Sequence, residues 1–284
     1  MANPALPPTR LISARKSLAS CVRAFITRST IEVPLSKATD RFNRYPATPL
    51  CSITWFLEGD LEMIEPPPPD PLPAFSRVIF SGPQTRPIIT YNPGPVRTFI
   101  VMLYPQAMHA LCNMDVPAWV DRWMPVADAL GPEWGAMAHA MLTAPDDTTR
   151  LELIEGFLAP RWQTARPAGG VGDASDWVRH LAAQAAGSPF GRGVRNIERR
   201  IKAWAGQPMR TLRRMHRAEQ TFFDARDGHL GSKLSMSDLA ALHGYADQSH
   251  MCRETREITG HSPAEMTRVL DSDDESYWIY RVWF

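Results

Sequence analysis

The feature that most constrains the fold is a stretch near the C-terminus, residues 234–263, in which capping and turn residues stand at the spacing of two short helices. Ser235 or Ser237 is suited to begin the first helix, because a serine hydroxyl accepts hydrogen bonds from the free N–H groups of a first turn. Gly244 favours the left-handed backbone that ends a helix, and Asp247 is suited to cap a second one. Two short helices joined by such a turn form a helix-turn-helix.

The second helix of this motif, residues 248–259, has one apolar and one polar face. Met251, Thr255 and Ile258 recur at helical spacing and predict the buried face. Its exposed N-terminal end carries polar side chains that can hydrogen-bond base edges, namely Gln248, Ser249, His250 and Arg253. Arg253 is suited to a two-bond contact with guanine, whereas His250 has a competing role as a packed, neutral histidine.

Several short sequences in this stretch stand in a fixed order and spacing. They are Asp238-Leu-Ala, Gly244-Tyr, Asp247-Gln-Ser-His, Arg253 and Thr259-Gly-x-Ser-Pro. Together they resemble the C-terminal signature of AraC-type transcription regulators. The alternative is a pair of packed core helices with no role in DNA binding. Because that family carries two such motifs in tandem, the resemblance implies another motif upstream.

A motif of this kind lies over residues 193–208. Ile197, Ile201 and Trp204 form an apolar stripe at helical spacing, and Gly206 and Pro208 end the helix. The opposite face carries Arg195, Asn196, Glu198, Arg199 and Lys202. Residues 176–184 are the expected supporting helix, and residues 209–227 are expected to form a long helix that joins the two motifs.

The family resemblance assigns DNA contacts to the polar faces of both motifs. The residues expected to read bases are Arg195, Asn196, Glu198 and Arg199 in the first motif, and Gln248, Ser249, His250 and Arg253 in the second. Arg199 suits guanine as Arg253 does, while Glu198 either accepts from a cytosine amino group or orients Lys202 one turn later. Phosphate contacts are expected from Arg192, Arg200 and Lys202, and exposure to solvent is the alternative for Arg200.

Charge is concentrated around the first motif. The formal net charge of the chain is only +1, which argues against binding a polyanion with the whole surface. Between Gly191 and Arg217, however, the sequence has nine Lys or Arg residues and only one acid, Glu198. Such a local positive field is what a phosphate backbone requires. The alternative is an ordinary solvated basic helix face.

Two residues depart from the family pattern. Gly193 stands where a capping Ser or Thr is usual, and Thr255 stands where an aromatic residue usually fixes the recognition helix to the core. Glycine is a tolerable cap, but Thr255 leaves a gap that Tyr245 or Met266 must fill. These departures support a rival interpretation, in which the protein is an adaptor that keeps the fold without specific DNA binding.

The first half of the chain consists of short runs of alternating or β-branched residues that end at Gly and Pro turns. This pattern predicts an antiparallel β-sandwich or barrel. The predicted strands are residues 18–30, 50–57, 76–80, 86–91 and 96–103, and the proline run 66–69 is expected to be a stiff loop.

Four sequences in this half stand out: Tyr45-Pro-Ala-x-Pro-Leu-Cys-Ser-Ile-Thr-Trp with Gly59 after it, Phe80-Ser-Gly-Pro-Gln-Thr-Arg, Gly94-Pro-Val-Arg and Leu103-Tyr-Pro. They resemble the cupin-like sensor domains that are fused to AraC-type DNA-binding domains. Residues 82–86 either hold a ligand or only close a hairpin.

Helical periodicity follows the strands, over residues 106–113, 118–130, 134–142 and 146–158. The last of these helices carries an apolar stripe, formed by Leu151, Ile154, Phe157 and Leu158. The stripe packs either on the barrel or, as the family resemblance implies, on the same helix of a second subunit. Residues 165–172 are rich in Gly, Ala and Pro and are expected to be a linker.

The predicted fold is therefore α+β with two domains. Residues 1–164 are expected to form a cupin-like antiparallel β-barrel with trailing helices. Residues 173–284 are expected to form an all-α domain, in which a long helix joins the two helix-turn-helix motifs.

Catalytic chemistry is not indicated. Cupin-like enzymes hold a metal through a His-x-His pair, but His109 and His139 are the only histidines before residue 160, and both fall in predicted helices. The four cysteines lack ligand spacing, and no P-loop, Rossmann or Gly-x-Ser-x-Gly motif is present. We therefore expect no enzyme activity, catalytic residue, metal or cofactor. We also expect a cytoplasmic protein, since the sequence has neither an 18-residue apolar run nor a secretory leader.

The last residues combine an acidic run, 271–275, with an aromatic end. Five of the final eight residues are aromatic, and water is an unfavourable environment for such a cluster. We expect this tail to dock on the sensor domain or on a partner subunit and to hold the DNA-binding domain in one orientation.

The family resemblance implies a transcription activator that binds double-stranded DNA. It further implies a homodimer, a small-molecule effector in the barrel and contact with RNA polymerase. The effector, the operator and the sign of regulation, activation or repression, do not follow from the sequence itself.

Overall fold

The computed structural model describes residues 9–33, 35, 37–65, 76–166, 177–187, 193–231, 235–272 and 274–282. Its N-terminal part is a mixture of antiparallel strands and helices, and its C-terminal part is entirely helical. The predicted α+β class and the order of its parts are therefore confirmed. The proline run 66–69 and residues 167–172 of the predicted linker 165–172 lie outside the described residues, and the preceding helix continues to Ala165.

Nine strands are described, and they form two antiparallel sheets. The strands are β1 Thr9–Ile12, β2 Val22–Ser29, β3 Phe42–Tyr45, β4 Cys51–Glu58, β5 Glu62–Glu65, β6 Val78–Ser81, β7 Ile88–Tyr91, β8 Arg97–Leu103 and β9 Trp123–Pro125. The larger sheet has the order β1-β2-β8-β4-β6-β9, and the smaller has the order β3-β7-β5. All five predicted strands are present, although residues 16–18 form a 3₁₀ turn and β2 begins only at Val22.

The two faces of the six-stranded sheet have different surroundings. One face, with Phe25, Trp55 and Phe99, lies in a continuous apolar core with the helices that follow the strands. The indole Nε1–H of Trp55 donates to the carbonyl of Ala138 at 3.1 Å, which satisfies the one polar atom of this side chain. The other face is turned towards the three-stranded sheet and leaves a cavity between them. The two sheets thus form an open barrel.

Four helices of the N-terminal part cover the core face: α1 Pro105–Cys112, α2 Val126–Leu130, α3 Pro132–Thr143 and α4 Asp147–Ala165. The prediction of one helix over 118–130 was wrong. Residues 116–119 form a 3₁₀ turn, and β9 pairs with β6 through Phe80 and Met124. Residues 123–125 hydrogen-bond to the sheet edge instead of continuing a helix, and α2 begins directly after Pro125.

The apolar stripe of α4 packs on the barrel. Ile154, Leu158 and Trp162 are buried in the same core as the six-stranded sheet. Asp146 caps the helix by accepting from the N–H of Thr149 at 2.8 Å. Packing within the chain, one of the two arrangements that the sequence left open, is therefore observed; Leu151 and Phe157 are only partly buried, and pairing with a second subunit stays a prediction.

The helices of the C-terminal part are α5 Trp177–Gly187, α6 Val194–Ala205, α7 Met209–Gly231, α8 Met236–Leu242, α9 Gln248–Thr259, α10 Pro263–Leu270 and α11 Trp278–Val282. They include both predicted helix-turn-helix pairs, α5 with α6 and α8 with α9. The joining helix α7 extends beyond the predicted end, to Gly231. No helix of the described ranges is long and apolar enough to cross a membrane.

Both helix pairs contact the N-terminal part. At the first pair, Trp177 stacks on Tyr104 with ring centroids 5.6 Å apart and donates to the side chain of Gln106. At the second pair, the N–H of Ala47 donates to the carbonyl of Ile258 at 2.7 Å. The helical part therefore covers the open side of the barrel.

Candidate DNA-binding surface and the adjoining cavity

The turn residues of the second motif adopt the predicted roles. Ser235, rather than Ser237, caps α8, and the Asp238 carboxylate accepts in return from the N–H of Ser235. Asp247 caps α9 by accepting from the N–H of His250 at 2.7 Å. Gly244 has a φ of +69°, the left-handed conformation that a side chain would strain.

The buried side of helix α9 makes apolar and ionic contacts with the rest of the helical part. Met251, Thr255 and Ile258 are buried, as their spacing predicts. Glu254 is also buried, and its two carboxylate oxygens each accept from an arginine Nε of α7, Arg214 and Arg217, at 2.9 Å. These charge-assisted bonds fix α9 to the joining helix.

The exposed face of α9 carries three of the four predicted base-reading residues, Gln248, Ser249 and Arg253. His250 is partly buried. Its ring packs edge-on against Tyr245, with centroids 5.4 Å apart, and its Nδ1 lies 3.4 Å from the N–H of Ala246. The packing role that the sequence offered for His250 is therefore present in the structure.

Tyr245 fills the space that Thr255 leaves. Its ring packs in the cluster with Met251 and Leu239, and its hydroxyl lies 3.3 Å from that of Thr221 on α7. Met266, the other candidate, packs instead in a separate cluster with the C-terminal helix. The second motif therefore replaces the missing aromatic anchor with one from its turn.

The first motif is also a pair of helices, α5 and α6, and apolar side chains hold it together. Ile201 and Ala205 of α6 pack with Leu181 of α5 and Leu212 of α7. The backbone of Gly193 starts α6 without a side-chain cap, and Gly206 ends it at a φ of +75°.

The exposed face of α6 presents Arg195, Glu198, Arg199 and Lys202, with Asn196 partly exposed. Arg199 donates to the side-chain oxygen of Asn196 at 3.3 Å. Arg200 turns away from this face, because its Nε donates to the carbonyl of Ala185 at the end of α5, at 3.1 Å. Arg192 lies outside the described residues. Lys202 is thus the one predicted phosphate contact that is both described and exposed.

A cavity of about 280 Å³ lies between the two sheets and the helical part. Strands β2, β4 and β8 form one wall, β3 and β7 form a second, and α7, α9 and α11 close the third side. Its apolar lining includes Ile26, Ile100, Met102, Phe222, Ile258 and Ile279. Such a chamber, mostly apolar and with a few fixed polar groups, is typical of a small-molecule site.

The most unusual polar group of the cavity is the guanidinium of Arg28, which is 3% exposed. Its Nη1 donates to the hydroxyl of Thr9 at 3.1 Å and to the carboxylate of Glu275 at 3.2 Å. Its Nε has no hydrogen-bond partner among the described residues. Burial lowers the pKa of this guanidinium, and the nearby Glu275 carboxylate opposes that shift.

Residues 82–86, which the sequence assigned either to a ligand or to a hairpin, close a loop and also reach the cavity. The backbones of Thr48 and Gln84 pair with each other, and Thr85 is held by the Asp121 carboxylate. Gln84 lines the cavity, and its buried Oε1 has no partner among the described residues.

The cavity residues Arg28 and Asn43 were not identified from the sequence. Arg28 stands two positions from Ile26 and so on the same face of the strand, but nothing in the sequence marks that face as a cavity wall.

No protein-family model matches this chain, and no curated protein matches it either. Solved structures of ToxT from Vibrio cholerae are similar to it. The P21 crystal form at 1.65 Å resolution has a TM-score of 0.39 and 11% identity, over 82% of this chain and 96% of that one. ToxT with a bound unsaturated fatty acid has a TM-score of 0.34 and 10% identity, over 80% and 94%.

A third ToxT structure, bound to (E)-4-(8-methylnaphthalen-1-yl)but-3-enoic acid, has a TM-score of 0.36 and 11% identity, over 80% of this chain and 95% of that one. ToxT is an AraC-family regulator, and that is the family which the two motifs of this chain resemble. A likeness of this size concerns the overall fold alone, so the function of this chain rests on its own residues.

Proposed function

We propose that this protein is a sequence-specific DNA-binding transcription regulator of the AraC type. The observation that carries the proposal is the pair of exposed polar faces on α6 and α9, each at the second helix of a helix-turn-helix whose other face is buried. In such motifs the second helix enters the major groove and its N-terminal residues meet the base edges.

Arg199 and Arg253 are the residues we assign to guanine, because a guanidinium can donate two parallel bonds to the acceptors of that base. Arg195, Asn196 and Glu198 on α6, and Gln248 and Ser249 on α9, stand beside them. Lys202 is assigned to phosphate. Arg200 is a weaker candidate for phosphate because its guanidinium already donates to Ala185.

The cavity is the proposed site of a small effector. Its walls suit an apolar molecule, and the buried Arg28, with an unused Nε, suits one anionic group on that molecule. Because α7 and α9 form part of the wall, an occupant contacts the DNA-binding helices directly. A homodimer and contact with RNA polymerase belong to the proposal through the family resemblance only.

The test is selection of binding sites from a random duplex pool with the purified full-length protein, followed by anisotropy titrations of the selected site at several salt concentrations. We expect one enriched site whose affinity falls steeply with salt. Arg199→Ala and Arg253→Ala should relax specificity at different base positions, each by roughly 1 to 3 kcal/mol.

Arg256→Ala is the matched control, since it removes the same charge from α9. Arg256 pairs with Glu265 at 2.8 Å, towards the far end of the helix from Gln248. It should leave base specificity unchanged. Absence of any enriched site, with weak binding that depends only on salt, would refute specific recognition and favour the adaptor alternative.

A further inference from the structure

We propose that the C-terminal segment, residues 274–282, is an internal occupant of the anion-binding end of the cavity, and that an anionic cavity ligand displaces it. In this scheme the carboxylate of Glu275 neutralises the Arg28 charge, and the ligand's anionic group competes with it for that charge. The inference rests on the proposed effector site and adds how that site is connected to the second helix-turn-helix.

The ion pair between Arg28 and Glu275 leaves Arg28 incompletely bound. A single contact of 3.2 Å joins Nη1 to one carboxylate oxygen, and Nε makes no hydrogen bond within the described part of the chain. Glu275 also reaches the guanidinium of Arg281, at 3.3 Å, so its charge is shared. A ligand carboxylate that used Nε and Nη2 would form the two-bond arrangement that arginine prefers, and its charge would repel that of Glu275 on Nη1.

Trp278 holds the segment in the cavity wall. Its indole Nε1–H donates to the side-chain oxygen of Asn43 at 2.8 Å, and its ring meets Tyr45 edge-on. The guanidinium carbon of Arg28 lies 4.8 Å from the centroid of the same ring, a cation–π contact. Arg28 therefore holds the segment through both Glu275 and Trp278, and an occupant that draws the guanidinium away weakens both contacts.

The other side of the segment supports the end of α9. The buried hydroxyl of Tyr280 donates to the carbonyl of Thr259, the last residue of α9, at 2.9 Å. The hydroxyl of Tyr277 lies 3.2 Å from Nε2 of His261, just beyond that helix. Tyr280 also packs edge-on against Phe222 of α7.

The segment thus joins two strands of the sensor barrel to the end of the second recognition helix. Its release would remove four polar contacts at once: those with Arg28, Asn43, Thr259 and His261. The second helix-turn-helix would keep its backbone bond from Ala47 to Ile258 but lose the support of the segment, so it would be freer to reorient relative to the first, which remains fixed through Trp177 and Tyr104. Such a bistable contact, biased by a ligand, is what coupling between two sites requires.

The experiment uses dodecanoate as the anionic probe and dodecan-1-ol as its uncharged match, with binding to the full-length protein measured by titration calorimetry. Glu275→Gln removes the competing charge and should raise dodecanoate affinity by roughly tenfold, about 1.4 kcal/mol, with dodecanol affinity unchanged. Glu58→Gln, at an exposed acid paired with Arg97, controls for net charge and should change neither.

Arg28→Gln is a second variant, which tests the proposal even if Glu275→Gln does not fold. It should abolish the preference for dodecanoate over dodecanol. Hydrogen exchange gives an independent readout, because dodecanoate should raise the exchange rate of amides in 275–282 and at the end of α9, and dodecanol should not.

Equal dodecanoate affinity in the wild type and Glu275→Gln would overturn the inference, as would slower exchange of the segment on binding or no binding of dodecanoate to either protein. None of these measurements contains DNA. Failure of the site selection would therefore refute the regulator function separately, and failure here would leave DNA recognition standing.

Discussion

The two recognition helices, α6 and α9, each have 12 residues and end at a left-handed glycine. They are nevertheless held in different ways. Helix α9 begins at a side-chain cap, Asp247, and its buried Glu254 receives two arginines from α7. Helix α6 begins at Gly193 without a side-chain cap and relies on the apolar cluster around Ile201.

Their last residues also meet different surroundings. Gly206 lies closely against Val116 and Val120 of the N-terminal part, whereas among the described residues Gly260 has only Pro87, also of that part, within 4 Å of where a side chain would begin. The first motif therefore depends for its position on close packing with the sensor. The second is fixed mainly by polar bonds to α7 and to the C-terminal segment, with one backbone bond to the sensor between Ala47 and Ile258. The difference predicts that the two motifs respond to different substitutions.

The largest effect is expected at the ionic support of α9. Glu254→Gln keeps the shape of the side chain but leaves Arg214 and Arg217 without a shared carboxylate. Removing one member of a buried ion pair costs about 3 kcal/mol or more; we expect about 3, because both arginines can partly reach water. The free energy of unfolding from urea titration measures the loss.

Glu257→Gln is the control for this prediction. Glu257 also contacts Arg214, but its side chain is 64% exposed, and exposed pairs contribute between 0 and about 1 kcal/mol. An equal loss in the two variants would show that burial of Glu254 has no special role, and the contrast between the motifs would disappear.

A smaller effect is expected where the first motif meets the sensor. Gly206→Ala places a Cβ at 2.9 Å from the Val120 side chain and at a φ of +75°. The left-handed backbone alone costs about 1 to 2 kcal/mol, and overlap adds to it, so we expect about 2 kcal/mol or more by thermal unfolding.

Gly260→Ala is the matched variant in the second motif, since its φ is +82° and its surroundings are open. It should cost about 1 kcal/mol, from backbone strain alone. If the two variants lost equal free energy of unfolding, close packing of the end of α6 on the sensor would be shown to contribute nothing.

Both recognition helices follow from local sequence. The caps, the glycine stops and the spacing of Met251 or Ile201 act within one or two turns, so the predicted bounds agree with the observed ones. The strands were found for a similar reason, because Gly and Pro mark where each one ends.

What the sequence did not reveal depends on contacts between distant residues. Both faces of β2 are covered, so the strand is buried almost throughout and has no alternation to show that Arg28 points to the cavity. Docking of the tail was expected from its aromatic content, but its site was open, since Trp278 and Asn43 are 235 residues apart. Strand β9 was missed because it forms only by pairing at a sheet edge.

The smallest effects are expected at the helix starts. Asp247→Ala removes the acceptor for the N–H of His250 and should cost about 1 kcal/mol. Gly193→Ser adds the missing cap to α6 and should gain a few tenths of a kcal/mol, because glycine is itself a tolerable cap. The φ of Gly193 is −67°, and among the described residues beyond its chain neighbours the nearest atom to the new Cβ is Nδ2 of Asn196 at 4.0 Å, so a serine fits the backbone. Urea titration of both variants and of the double variant measures the two changes. Two caps in separate motifs should act additively, and a loss on Gly193→Ser would mean that α6 starts at another residue.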